Sequence, residues 1–189
     1  SDDFETINDI PVYRANLFSR RNGGAIRLFL NYISFAFLAS LKVLKIKSFF
    51  DAIYVYQTSP VTVGIPAIFA KKLFKAPIYF WVQDLWPESL TAAGGVNNKL
   101  VLGFFNSLTK FIYNHSKKVL IQSNGFREYI LNQGIPNDKI IYYPNPTEDF
   151  YKPLQEVKEY QEFFQNEFFN IIFAGNIGEA QSFKTIINA

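Results

Sequence analysis

The densest group of side chains that could do chemistry lies in residues 81–89, directly after an apolar run that reads as a β-strand. Asp84 comes at the strand end, where a carboxylate can accept a hydrogen bond from a substrate hydroxyl. Trp86 has a flat apolar face of the kind that stacks on sugar rings. A proline before Glu88 suits the first turn of a short helix, and Glu88 would then lie near that helix's positive end. The same residues are equally explained as core tryptophans, an N-cap aspartate and a glutamate that complements the helix dipole.

Polar residues also follow two other predicted strands. Thr58 and Ser59 come after the strand at residues 52–56. Either could cap the next helix and leave backbone N–H groups free for an anion, or serve as an ordinary cap. Asn145 follows the strand at residues 139–143 and lies between two prolines, which limits the directions of its side chain. It could serve a turn or a ligand.

A glycine-containing loop follows the predicted strand at residues 169–174. It includes Gly175, Asn176 and Gly178, and a helix is predicted after it, from about residue 181. Glycine lets the backbone approach a phosphate, and a helix N-terminus favours negative charge. Many α/β loops contain a Gly-x-x-Gly pattern. It differs from the dinucleotide fingerprint Gly-x-Gly-x-x-Gly, so NAD binding is not predicted.

The composition excludes several kinds of site. The 189 residues include no cysteine and one histidine, which excludes disulfides, zinc-thiolate sites and thiol chemistry. His115 lies at the end of a predicted helix, where a structural role is favoured, and no metal site is predicted. The net charge of +3 is spread over small basic pairs and does not indicate nucleic acid.

The order of the predicted elements indicates an α/β fold with a Rossmann-like parallel sheet and helices on both faces. Strands are predicted at residues 10–15, 52–56, 77–82, 118–122, 139–143 and 169–174, and helices at 60–74, 98–114 and 124–133. Ligands of such sheets bind beyond the carboxyl ends of the strands. We expect one domain over residues 1–150, a linker and helix over 151–168, and the start of a second domain over 169–189.

An uncharged segment, residues 28–41, is bracketed by basic residues. Its 14 residues are fewer than the roughly 20 that span a bilayer. A buried helix is our main interpretation, because the apolar residues run nearly all round the helix. A helix lying in the plane of a membrane is the alternative.

Four signatures in order resemble the family-4 retaining glycosyltransferases, in particular those that build bacterial surface polysaccharides. They are residues 84–89, 123–128 with 134–140, 143–146, and 173–181, and the resemblance covers roughly residues 50–189. It implies a GT-B fold, in which the N-terminal domain holds the acceptor and the C-terminal domain a nucleotide-sugar, UDP- or GDP-linked. It also implies transfer with retained anomeric configuration, without metal or other cofactor.

The resemblance also assigns roles to residues. The catalytic residues would be Asp84 and Gln83, and the acceptor would be bound by Thr58, Ser59, Trp86 and Glu88. The donor diphosphate would be bound by Gly175, Asn176 and Gly178, with Asn145 near the interdomain hinge. The chain departs from the family at Gln83, where many relatives have histidine, and it matches neither the family's first strand with its glycine-rich loop nor its paired-glutamate motif. We therefore expect this chain to be inactive alone.

Three functions follow as hypotheses. The first is a transferase acting on a saccharide or lipid-linked saccharide at the cytoplasmic membrane face, for which the basic residues around segment 28–41 would suit a diphosphate-lipid acceptor. The second keeps the fold but makes the domain a non-catalytic partner subunit. The third is a related two-domain sugar-nucleotide epimerase, which would be expected to bring more ionisable groups to the cleft than a chain with one histidine can.

Overall fold

In a computed structural model of the chain, the structure describes residues 4–20, 24–94, 96–153, 168–175, 177 and 181–189. The chain divides into two compact units, Ser1–Pro144 and Asn145–Ala189.

An antiparallel hairpin forms near the amino end of the first unit. Strand β1 (Phe4–Ile7) pairs with β2 (Ile10–Tyr13). Asn8 and Asp9 between them have positive φ angles of 48° and 63°. Two consecutive positive φ values are typical of a type I′ turn, which Asn and Asp adopt more easily than most residues. The sequence predicted only the second strand, because the first is short and partly polar.

The main sheet has four parallel strands in the order β3-β4-β5-β6, which are Ile53–Gln57, Ile78–Val82, Lys118–Ile121 and Ile140–Tyr142. The register aligns Gln57 with Val82, Val82 with Ile121, and Ile121 with Tyr142. The carboxyl ends of all four strands therefore lie at one edge of the sheet. The predicted α/β fold with a parallel, Rossmann-like sheet is confirmed.

Helices connect these strands. They are α1 (Ala25–Val43), α2 (Gly64–Phe74) after a 3-10 turn (Val61–Val63), α3 (Glu88–Gly94), α4 (Lys99–His115) and α5 (Phe126–Asn132). Their ends follow local chemistry. The Asn98 side chain caps α4 by accepting hydrogen bonds from the N–H groups of Leu100 and Val101, at 2.9 and 3.3 Å. Gly134 ends α5 with a φ of +81° in a Schellman motif.

The core of the first unit lies between the sheet and the helices. Val55, Phe80, Val82, Val119 and Ile121 bury one side of the strands. The helices contribute Ala67, Ile68, Phe105, Ile112, Tyr113 and Ile130. The alternate residues of β3, Tyr54 and Tyr56, remain about half exposed, at 52% and 53%, because successive side chains of a strand point to opposite faces.

Lysine side chains meet the carboxyl end of α4. Lys71 Nζ donates a 2.5 Å hydrogen bond to the carbonyl oxygen of His115, and Lys139 Nζ donates one of 2.8 Å to that of Asn114. Cations are favourable at the negative end of a helix. Burial first, and then the charge of Lys71, lower the pKa of Lys139. His115 Nδ1 lies 2.8 Å from the carbonyl oxygen of Phe111, a contact that agrees with the predicted structural role.

Helix α1 is not the buried helix that we expected. It is longer than segment 28–41, and Ala36 and Ser40 are its buried residues. Within the part of the chain that the structure describes, the stretch Ile26–Val43 is the one long and apolar enough to cross a membrane, judged by length and composition, and 11% of it is buried. The helix packs on α2 and the 3-10 turn, and Asn31 and Ser34 form hydrogen bonds with the backbone of Phe18. Since its apolar side chains run all round, many of them are left exposed.

The linker and helix predicted over residues 151–168 lie mostly outside the described residues, and the second unit differs from the prediction at its expected strand. Residues 168–175 are described and form no strand, although a strand was expected at 169–174. A strand requires a neighbour, and none of the described residues pairs with this segment. Helix α6 (Phe183–Ile187) follows, and the rings of Phe173 and Phe183 pack with centroids 4.8 Å apart.

Candidate functional site

The loops that follow the four parallel strands form the candidate site, because ligands of open α/β sheets bind beyond the carboxyl strand ends. The first of these loops begins after Gln57 and the second after Val82. We call residues 83–88 the Asp84 loop. The third begins at Gln122, and Tyr143 follows the fourth strand.

Three glutamines join adjacent strand ends. The backbone N–H of Gln83 donates a 3.0 Å hydrogen bond to the carbonyl oxygen of Gln57. The side-chain amide of Gln122 donates one of 2.8 Å to the carbonyl oxygen of Gln83. The ends of β3, β4 and β5 are therefore tied together where the Asp84 loop begins.

Two of these glutamines also have unused hydrogen-bonding capacity. Gln57 is fully buried, and neither its Nε2 nor its Oε1 has a partner among the described residues. Gln83 is buried, and its Nε2 likewise has no partner there. Buried polar groups without partners are destabilising and uncommon. Amides of this kind at a strand edge can bind the hydroxyl groups of a ligand.

Asp84 is half-buried. In the chain it lies directly after Gln83 and shortly before α3. Burial raises the pKa of its carboxyl above the ordinary value, because desolvation penalises the charged form. A carboxyl group with a raised pKa at a strand end is typical of groups that exchange hydrogen bonds or protons with a substrate.

Trp86 lies in the core, not at a sugar-binding surface. It is 2% exposed, and its ring packs against those of Tyr32 and Phe105 at centroid distances of 6.1 and 5.2 Å. Neither face of the ring is therefore open to a sugar. Its carbonyl oxygen accepts a 3.0 Å hydrogen bond from Gln133 Nε2, which holds the end of the Asp84 loop. Trp86 positions this loop, and the structure corrects our expectation that its ring would stack on the acceptor.

Trp81 is likewise enclosed by aromatic rings. The rings of Tyr54, Tyr56 and Tyr143 lie 5.9, 5.1 and 5.2 Å from it, and its Nε1 donates a 2.9 Å hydrogen bond to the carbonyl oxygen of Tyr143. This contact fixes the segment that follows β6 to the middle of the sheet.

Glu88 begins α3 and faces inward. Its Oε2 atom is buried and has no hydrogen-bond partner in the described part of the chain, and the same is true of the hydroxyl of Tyr113 on α4. Burial first, and then the charge of Glu88, raise the pKa of Tyr113. The charge of the Glu88 carboxylate therefore disfavours ionisation of a fully buried tyrosine hydroxyl on α4.

Thr58 and Ser59 are exposed. The 3-10 turn and α2 begin after Pro60 and Val63 respectively, and neither start has a side-chain capping bond. The expected cap by Thr58 or Ser59 is therefore absent from the described structure, because the chain turns into a 3-10 segment before the helix begins. Both hydroxyls remain accessible beside Gln57.

The other predicted site residues lie in the second unit. Asn145 is its first residue and is exposed. Gly175 is exposed, and a Cβ atom there would meet the Phe173 ring at 3.1 Å. Asn176 and Gly178 lie outside the described residues.

The structure adds Gln57, Gln122 and Tyr113 to the residues found by sequence. Gln57 and Gln122 carry a signal, because each is a polar residue at the end of an apolar strand. Tyr113 carries none, because an aromatic residue on an amphipathic helix reads as ordinary core. Over the described ranges, no group of acidic or histidine side chains is arranged to hold a metal ion.

Residues 1–146 match the model of a family described as "Glycosyl transferase 4-like domain". The match includes the whole main sheet and every strand-end loop of the first unit. No curated protein is significantly similar in sequence.

Proposed function

The chain belongs to the family of glycosyl transferase 4-like domains, and from that premise we propose that it transfers a sugar from a nucleotide-sugar to a hydroxyl group of an acceptor with retained anomeric configuration. A glycosyltransferase in general uses a nucleotide-sugar donor and an acceptor. We also propose that the transferred sugar is a hexose.

Asp84 and Gln83 are the residues that we propose for catalysis. In a retaining transfer, the bond from the anomeric carbon to the donor diphosphate breaks, and the nucleotide diphosphate leaves with the bonding electrons. The acceptor oxygen bonds to the same face of that carbon, and its proton passes to the Asp84 carboxylate. Asp84 would accept the hydrogen bond of that acceptor hydroxyl, and the unpartnered amide of Gln83 would hold a neighbouring hydroxyl.

The acceptor site would extend along the same edge of the sheet. The exposed hydroxyls of Thr58 and Ser59 would bind further acceptor groups, and Glu88 would support the loop from below. We propose that the acceptor is a saccharide or a polyprenyl-diphosphate-linked saccharide of bacterial cell-surface polysaccharide synthesis, reached at the inner face of the cytoplasmic membrane. The largely exposed apolar surface of α1 supports this location.

The donor would be UDP- or GDP-linked and bind to the loop at Gly175, Asn176 and Gly178, with Asn145 near the hinge. We propose no metal and no other cofactor. The observation that carries the proposal is Asp84 itself: a carboxyl of raised pKa beside buried, unpartnered amides at the carboxyl end of a parallel strand.

The test is release of nucleotide diphosphate from a panel of UDP- and GDP-sugars by the full natural length of the protein, with membrane extract as acceptor. Wild type is compared with Asp84→Ala and with Asp51→Ala, an exposed aspartate before β3. We expect acceptor-dependent release that falls at least about a hundredfold in Asp84→Ala only. Release that is unchanged in Asp84→Ala would keep the transferase and return Asp84 to a structural role. No release from a folded protein with any donor would favour a non-catalytic partner subunit.

A further inference from the structure

An apolar groove lies between α1, the 3-10 turn, α2 and α4. Its volume is about 510 Å³, within the range of small-ligand sites. Nearly every side chain that lines it is hydrophobic; these include Phe29, Ile33 and Phe37 of α1, Leu44 directly after α1, Phe69 of α2 and Phe104 of α4.

The groove is open along the outer side of α1. Phe37 is 62% exposed, and Leu44 and Phe104 are more than half exposed as well. The polar side chains in the lining are few, and Ser40 donates its hydroxyl hydrogen to the carbonyl oxygen of Ala36 at 2.6 Å. A contiguous open surface of this kind marks a binding site for something apolar.

The charge around the groove decides what the apolar ligand carries with it. Helices α1, α2 and α4 contain no Asp or Glu. Over residues 10–127 the sequence has fifteen Lys or Arg residues and three acidic ones, while the whole chain is only +3. Arg27, Lys45, Lys47 and Lys72 are exposed at or near the ends of the helices that line the groove. Basic residues therefore lie near groove-lining residues in the chain, on or beside helices that carry no acidic side chain.

We propose that this groove binds the hydrocarbon chain of an anionic membrane lipid. The apolar walls take the chain, and the surrounding Lys and Arg side chains attract the phosphate of the head group. An apolar peptide segment would not require the acid-free surroundings, so we favour lipid. This inference rests on the proposed function in one respect: lipid binding would bring the transferase to a lipid-linked acceptor. Whether the groove binds lipid can be tested without sugar transfer.

Trp86 provides a probe at the bottom of the groove. Its ring packs on Tyr32 and Phe105, and both line the groove. The chain has two tryptophans, and Trp81 packs in a separate cluster with Tyr54, Tyr56 and Tyr143. A Trp81→Phe variant therefore reports on Trp86 alone, and a Trp86→Phe variant on Trp81 alone.

The experiment mixes each variant with phosphatidylglycerol vesicles whose acyl chains carry bromine, a short-range quencher of tryptophan fluorescence. We expect Trp86 to be quenched and Trp81 to keep its intensity. Vesicles of phosphatidylcholine with the same brominated chains should quench Trp86 at lipid concentrations at least about tenfold higher, because they lack the negative charge. Equal quenching of both tryptophans, quenching of neither, or equal potency of the two lipids would overturn the proposal.

A second measurement does not depend on the tryptophan variants. Phe37→Asp places a charge in the groove, and Phe111→Asp places one at an exposed α4 position outside it, where the Phe111 ring packs on His115. We expect co-sedimentation with phosphatidylglycerol vesicles to weaken at least about tenfold in Phe37→Asp and to change little in Phe111→Asp. Undiminished binding of Phe37→Asp, or equal loss in both variants, would contradict the groove. Neither measurement involves sugar transfer, so failure here is separate from failure of the proposed function.

Discussion

The side-chain amide of Gln122 donates a 2.8 Å hydrogen bond to the main-chain carbonyl oxygen of Gln83. This bond joins the end of β5 to the first residue of the Asp84 loop. Because the N–H of Gln83 is also bonded to Gln57, the backbone beside Asp84 is held from both neighbouring strands. The position of the Asp84 carboxyl group therefore depends on Gln122, a residue to which the sequence alone assigned no role in the site.

Replacing Gln122 by Leu should loosen this loop. The carbonyl oxygen of Gln83 loses its donor, and we expect the free energy of unfolding to fall by about 1 kcal/mol. We also expect kcat for sugar transfer to fall under conditions in which the variant is fully folded, because the Asp84 carboxyl group is then held less firmly. Urea unfolding and nucleotide-diphosphate release measure the two effects. Gln133→Leu, which removes the 3.0 Å bond to Trp86 at the other end of the loop, is the comparison. Stability loss with unchanged kcat in both variants would make the bonds purely structural.

Asp84→Asn should stabilise the protein in a pH-dependent way. Burial raises the pKa of Asp84 in the folded state, so the folded protein binds more protons than the unfolded chain between the two pKa values. Stability contributed by this group is then lost as the pH rises through that window. The variant lacks this loss, so its advantage in urea unfolding should be small near about pH 4 and grow toward neutral pH. Asp51→Asn serves as the exposed control, and a constant difference at every pH would contradict the prediction.

An added methyl group should have opposite effects on stability at two glycines, Gly64 and Gly103. A Cβ atom on Gly64 would meet Ile112 Cγ2 at 2.5 Å, where α2 crosses α4. We expect Gly64→Ala to lower the free energy of unfolding by about 1–3 kcal/mol. Gly103 lies inside α4 with nothing within 4 Å of its Cβ position. Gly103→Ala should therefore raise stability by about 0.5–1 kcal/mol. Thermal unfolding of the two variants measures both, and equal signs would contradict the packing.

The Tyr113 hydroxyl should be dispensable for folding. It is buried without a hydrogen-bond partner in the described structure and faces the charge of Glu88. Tyr113→Phe removes that buried polar group, so we expect stability to be unchanged or to rise by up to about 1–3 kcal/mol. Tyr129→Phe, on the exposed side of α5, is the control. A clear loss of stability in Tyr113→Phe would mean that the hydroxyl donates a stabilising hydrogen bond.

Sequence patterns located most of the elements that carry the site. The apolar runs before Gln57 and Gln83 predicted two adjacent parallel strands within one residue of their observed ends. The helices predicted at residues 98–114 and 124–133 are α4 and α5 in the structure. Their ends have local causes, namely the Asn98 side chain that binds backbone N–H groups and the positive φ of Gly134. Asp84 was found because it follows a strand directly. The roles of Thr58, Ser59, Glu88 and Asn145 in binding remain predictions.

Other features were decided by tertiary structure. The sequence pattern is compatible with either an exposed or a buried side chain at Gln57 and Trp86. The Trp86 ring is buried because Tyr32 and Phe105 pack against it. The converse holds for α1, which reads as a core helix and yet leaves Phe37 exposed.

The sequence by itself determined the alternation of strands and helices over residues 52–143, the parallel sheet, the family signatures and the chemistry that a chain without cysteine cannot perform. These depend on local periodicity, backbone preference and composition. The tertiary structure decided which glutamines tie the strand ends together, that Trp86 supports the Asp84 loop from the core, and that an apolar groove opens beside α1. The physical reason is that periodicity tells which face of an element a side chain occupies. What covers that face depends on elements distant in the chain.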